Sequence, residues 1–193
     1  LFTLDSLIDT RAFRINSRKI EDKYKFNSES SIYEIIVRSS NVGSARLALL
    51  VGEKGLKEIF SKLGLSEPVR LELREANTTR PILPKNWHDI TLATVSYGYG
   101  MSVSLLHLAK AYAILGNGGF EIEPTILKKN DNSQSGPRVL KKTTSDEILK
   151  LLEAVVTDQR GTAKILRSKY YRIGGKTGTA EKISLETRGY QKD

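Results

Sequence analysis

Cysteine is absent from the 193 residues, so neither a disulfide nor a thiolate metal site is available. Histidine is nearly as scarce. His88 and His107 lie far apart, neither at ligand spacing from a second histidine or an acidic partner, and no metal or cofactor is expected. Long apolar runs are missing too: Leu47 to Val51 is among the longest, well short of the roughly 20 residues that a membrane-crossing helix needs. A last absence is more specific. No serine anywhere in the chain is followed three positions later by lysine.

What is present is a chain with an ordinary core-forming composition, 39% apolar and 27% charged, of a length that suits one domain. Its 31 basic against 22 acidic side chains leave a formal charge of +9, which suits an anionic partner such as nucleic acid or a membrane surface. The basic residues are scattered, however, from Arg14 and Lys19 through Lys128 and Lys129 to Arg172, without interleaved aromatics to stack bases. Nucleic-acid binding is therefore not expected.

The opening, to about residue 28, reads as polar and irregular. Ser31-x-x-Glu34 is a capping box that predicts a helix from near Ile32. Ser39-Ser40-Asn41, three poor helix formers, should break it, with further helices over about 42–51 and 55–62. Residues 66–103 are rich in proline and glycine and read as loop, as does the polar stretch 128–137. Ser104 should cap a helix ended by Gly116-Asn117-Gly118-Gly119, and Thr144-x-x-Glu147 a strongly amphipathic one. A short helix over 162–166 follows, and 171–183 reads as a strand.

Two motifs carry chemistry. Gly174 to Thr179 reads as a glycine-rich turn beside a strand, or as a functional loop. A phosphate-binding loop would need glycine at 170, where Tyr170 stands, and a helix after Lys176, where Thr177-Gly178-Thr179 starts one poorly. Gly98-Tyr99-Gly100 lacks the third glycine of a dinucleotide fingerprint and reads as a turn. On a cleft-edge strand, Lys176 and the hydroxyls of Thr177 and Thr179 suit recognition of a carboxylate. Gly178 lets a substrate backbone lie close, and a backbone N–H there can stabilise an oxyanion. Ser39-x-Asn41 alone has a purely structural explanation, since serine and asparagine commonly end helices. The two motifs together, in this order, are far more specific: S-x-N and K-T-G accompany an S-x-x-K serine in penicillin-recognising acyl-transfer enzymes.

The flanks strengthen the pairing. Val37 to Gly43, Trp87-His88-Asp89-Ile90 running into Ala93 to Gly100, Leu108 to Ala113 with the Gly-Asn-Gly-Gly after it, Gly161-Thr162-Ala163 and Gly175 to Ala180 occur in one order over about residues 30–182. In these stretches the sequence resembles the class B penicillin-binding proteins, and among them the division-specific (septal) peptidoglycan transpeptidases. The resemblance implies an α+β fold of the penicillin-binding protein and serine β-lactamase type, an antiparallel sheet flanked by helices. It implies a D,D-transpeptidase (acyltransferase) that acylates a serine with the D-Ala-D-Ala end of a stem peptide and is trapped by β-lactams. Carried over by motif, Ser39 relays protons near the leaving nitrogen, and Asn41 bonds the substrate amide. Lys176 supplies local positive field and bonds Ser39. Thr177, Gly178 and Thr179 bind substrate, with the Thr179 N–H as half of an oxyanion hole, and 97–100 supports the cleft.

The family's usual Thr-Pro-Leu-Gln is Ser104-Leu105-Leu106-His107 here, which keeps the cap and loses the proline. The nucleophile is expected outside this chain, upstream of Leu1, so residues 1–193 read as a partial transpeptidase domain, incomplete at both ends and inactive alone. The implied setting is the bacterial inner membrane with the domain facing the periplasm, the anchor lying elsewhere, and divisome membrane proteins as partners. Alternatives are a truncated, non-catalytic module that binds wall peptides or division partners, and a serine β-lactamase.

Overall fold

The computed structural model describes residues 2–128 and 135–178. The opening is more ordered than its polar composition suggests. Strand β1 (Leu7–Asp9) pairs antiparallel with β4 (Glu29–Ser31), and between them β2 (Phe13–Ile15) and β3 (Arg18–Ile20) form a hairpin. Asn16 turns that hairpin at φ 53°, a left-handed conformation that asparagine tolerates.

Helix α1 (Ile32–Arg38) begins as the sequence predicts, with the Ser31 hydroxyl accepting from the Glu34 N–H. Helix α2 (Asn41–Lys62) holds both predicted segments, and Gly52 separates them at φ 72°, ψ 175°. Gly43 lets α1 and α2 cross closely, since a Cβ there would lie 2.5 Å from the fully buried Ile35 side chain.

The expectation that 66–103 is loop fails in part. Helix α3 (Arg74–Thr78) is short, but α4 (Asp89–Ser96) is a core element whose Leu92, Ala93, Thr94 and Val95 are all buried. Ala93 joins Ile20, Val42 and Ala45 in one cluster, while Leu92 and Val95 pack with Trp87 in another. Four consecutive buried positions leave no amphipathic period to read.

Helix α5 (Leu105–Gly116) starts on the predicted Ser104 cap, and His107 completes a reciprocal box by accepting from the Ser104 N–H. Its other ring nitrogen lies 3.0 Å from the Glu67 carbonyl, so His107 is a fully engaged core residue. Strand β5 (Phe120–Ile122) pairs with β6 (Ser135–Arg138), replacing the end of the loop predicted over 128–137. Helix α6 (Lys142–Thr157) begins before the predicted Thr144 cap. Lys141 stands at its N-cap without a side-chain bond, because docking of the preceding Leu140 onto Gly119 sets the entry. A 3₁₀ turn (Lys164–Leu166) closes the region.

The fold is α+β, and the described strands pair antiparallel, two by two. Among the described residues no helix is long and apolar enough to cross a membrane. A third cluster, Val155, Val156 and Ala163 with Ile36 and Ile173, ties α1, α6 and the last described stretch together.

Candidate active site

Ser39 ends α1 in the left-handed region, φ 61°, ψ 58°, where glycine is the usual occupant. The Ser40 N–H reaches back to the Ile35 carbonyl at 2.9 Å, which closes the helix without using the Ser39 side chain. Ser40 then caps α2: its hydroxyl accepts from the Gly43 N–H at 2.9 Å and donates to Asp22 at 2.7 Å. The other Asp22 oxygen accepts from the Asn41 and Val42 N–H groups, at 2.5 and 3.1 Å. A carboxylate on the first amides of a helix satisfies orphan donors and complements the helix dipole. Capping is thus carried by Ser40 and Asp22, which frees the side chains on either side. Asn41 is half-buried, and its amide group makes no hydrogen bond among the described residues.

The second arm is residues 171–178. They were expected to form a strand, but among the described residues they pair with none. Instead the stretch is pinned to α6. The Gly175 N–H donates to the Leu152 carbonyl at 3.0 Å, Arg172 pairs with Glu153, and Ile173 enters the α1–α6 cluster. Gly174 passes so close to α6 that a Cβ would lie 3.1 Å from its backbone.

These supports bring the distant motifs together. The Lys176 ammonium donates to Ser39 Oγ at 2.6 Å and to the Thr177 carbonyl at 3.1 Å. Partial desolvation lowers the Lys176 pKa below the ordinary lysine value. The Thr177 hydroxyl lies 2.9 Å from that of Thr162, in the turn after α6. Gly178 is exposed, and a Cβ there would touch nothing among the described residues, so packing against them does not require glycine. Thr179, the remaining predicted substrate-binding residue, lies outside the described residues.

The ammonium is a donor only, so Ser39 Oγ accepts from Lys176 and its own hydrogen points elsewhere. That is the geometry of a hydroxyl able to hand a proton onward while a cation replenishes or stabilises it. Sequence reasoning missed Asp22 and the contact of Thr162 with Thr177. Asp22 sits in a charged turn with no local signal, and Thr162 is legible only through the fold.

Comparison with known proteins places the chain in a family. A family model described as the penicillin binding protein transpeptidase domain matches residues 1–193. The chain is 37% identical, over 97% of its length, to the probable peptidoglycan D,D-transpeptidase FtsI of Caulobacter vibrioides, covering 32% of that protein. It is 33% identical, over 95% of its length, to the peptidoglycan D,D-transpeptidase FtsI of Escherichia coli K12, covering 31%. The chain therefore spans about a third of the length of these curated relatives. Among solved structures, the apo transpeptidase domain of Burkholderia pseudomallei penicillin-binding protein 3 matches with a TM-score of 0.88 at 34% identity, over 99% of this chain and 57% of that one.

Proposed function

Since this chain belongs to the penicillin-binding protein transpeptidase domain family, we propose that the protein carrying it is a peptidoglycan D,D-transpeptidase of septal wall synthesis. The observation that carries the reading is the Lys176–Ser39 contact, which joins the K-T-G and S-x-N motifs in one site. In the proposed reaction a serine attacks the carbonyl of the penultimate D-Ala of a stem peptide. The bond to the terminal D-Ala breaks, and its nitrogen leaves with a proton delivered through Ser39. The acyl group then passes from the serine to an amine of a neighbouring strand. Splitting the exchange through a covalent intermediate replaces one difficult step by two easier ones.

Within this scheme Lys176 holds Ser39 oriented and supplies positive charge where negative charge develops. The Asn41 amide, without a hydrogen bond among the described residues, bonds the substrate peptide group. Thr177 and Thr179 take the terminal carboxylate, and Gly178, where a side chain would meet none of the described residues, gives the substrate backbone its approach. The residues present contain no S-x-x-K serine, so the acylated serine comes from outside these 193 positions. β-Lactams would trap it, divisome membrane proteins would be partners, and the domain would face the periplasm from a membrane-anchored protein.

Fluorescent penicillin tests the reading. The full-length protein should be labelled covalently, Ser39→Ala and Lys176→Ala should slow labelling by about two orders of magnitude, and residues 1–193 alone should stay unlabelled. Labelling of residues 1–193 would overturn the external nucleophile. Absence of labelling in the full-length protein would favour a non-catalytic module. Steady-state hydrolysis of a chromogenic cephalosporin would favour a β-lactamase.

A further inference from the structure

The turn between α6 and the 3₁₀ segment is held more firmly than a surface turn requires. Asp158 accepts from the Tyr33 hydroxyl at 3.0 Å and from the Arg160 N–H at 2.7 Å. The Ala163 N–H donates to the Val155 carbonyl at 3.0 Å, and Ala163 is buried in the α1–α6 cluster. At Gly161 a Cβ would collide with the Val155 carbonyl, so no larger residue fits. The product of this bracing is the half-buried hydroxyl of Thr162. Among the described residues its one side-chain hydrogen bond is to Thr177, at 2.9 Å.

Either hydroxyl could donate in that pair, but the proposed substrate decides the direction. A carboxylate only accepts, so Thr177 must donate its single hydrogen to it. Thr177 then has only a lone pair to offer Thr162, and Thr162 must be the donor. We propose that Thr162 is a positioning and specificity-determining residue: it holds Thr177 with its hydrogen aimed at the substrate, so that the site selects a carboxylate over a neutral carboxamide. The proposal rests on the transpeptidase reading given above, in which Thr177 faces the carboxylate. Two hydroxyls in series polarise one another, which strengthens the terminal bond to an anion more than to an amide. Thr162 acts through Thr177 and need not touch the substrate.

The test compares the second-order acylation rate of the full-length protein by a penicillin bearing its free carboxylate with that by the matching carboxamide. In the wild type the carboxylate form should react faster. Thr162→Val keeps the shape and removes the donor, and should reduce the carboxylate-to-carboxamide ratio by up to about tenfold, the upper end for one lost hydrogen bond between neutral groups. Thr162→Ser should restore the ratio to within about twofold of the wild type. In a Thr177→Val background, Thr162→Val should leave the ratio unchanged, because nothing remains to be oriented. An unchanged ratio in Thr162→Val, or a ratio lost equally in Thr162→Ser, overturns the proposal while the transpeptidase reading stands. A wild type without carboxylate preference, or a Thr177→Val variant whose ratio equals that of the wild type, overturns the assignment of Thr177 to the carboxylate and the proposal with it. Failure of the full-length protein to react with fluorescent penicillin overturns the transpeptidase reading itself. Circular dichroism of each variant separates a misfolded protein from one that has lost selectivity, and the serine variant decides the matter if valine does not fold.

Discussion

The Lys176 ammonium and the Ser39 hydroxyl are 137 positions apart in the chain and 2.6 Å apart in space. Ser39 is carried by α1, Lys176 by a stretch pinned to α6, and the packing of Ile36 and Ile173 on Val155 and Val156 sets the separation.

The left-handed Ser39 makes a stability–function conflict measurable. Ser39→Gly and Ser39→Ala both remove the hydroxyl, but only alanine keeps a Cβ at φ 61°. Ser39→Gly should be the more stable of the two by about 1 kcal/mol, read from urea midpoints at equal slope, while both variants lose acylation. Equal stabilities would mean that the backbone there carries no strain.

Asp22 should matter to both stability and catalysis although it faces no substrate. Removing a carboxylate cap that takes two amides and a hydroxyl should cost about 1–2 kcal/mol. Asp22→Ala should therefore lower the thermal midpoint and slow acylation. Asp22→Asn, which keeps one acceptor oxygen, should fall between. Full acylation in Asp22→Ala would show that the Ser39–Asn41 corner holds itself.

Lys176 should lose its proton earlier than an ordinary lysine, since desolvation lowers its pKa. An unfolded lysine titrates near about 10.4, so between the folded value and that limit the unfolded chain binds more protons. Lys176 thus costs stability fully below its folded pKa, and the cost fades as pH rises through the window. Acylation should show the opposite trend, with an alkaline limb below about pH 10.4 as the donor to Ser39 disappears. Lys176→Arg should move that limb out of range; a limb unchanged in that variant would assign it to another group.

Asp158 gives the acid-side counterpart. The Arg160 N–H, the Tyr33 hydroxyl and the Arg160 charge hold its carboxyl below the usual range, against an opposing desolvation. Its contribution is therefore present above the unfolded carboxyl pKa of about 3.9 and is lost as pH falls through the lower folded value. Asp158→Asn should flatten the stability profile below about pH 4 relative to the parent. Tyr33→Phe should cost about 1 kcal/mol near neutrality. Identical acid unfolding curves for parent and Asp158→Asn would remove Asp158 as the anchor of the Thr162 turn.

Local signals in the sequence held where the physics is local. Ser31 and Ser104 cap helices because each cap needs only its own three following residues, and Gly52 breaks α2 where the two predicted helices part. The signals failed where a neighbour overrides them. Helix α4 is buried all round and shows no period. The Thr144 box yields to the docking of Leu140 on Gly119, and residues 171–178 lack a paired strand among the described residues.

For function, residue order alone pointed to the family, because S-x-N and K-T-G with their flanks are a pattern of side-chain types. Tertiary structure decided what those side chains meet: that Ser39 Oγ accepts from Lys176, that Ser40 with Asp22 caps α2, and that Thr162 lies against Thr177. Hydrogen bonds over 2.6–2.9 Å between elements far apart in the chain depend on core packing, and no run of neighbouring residues encodes them.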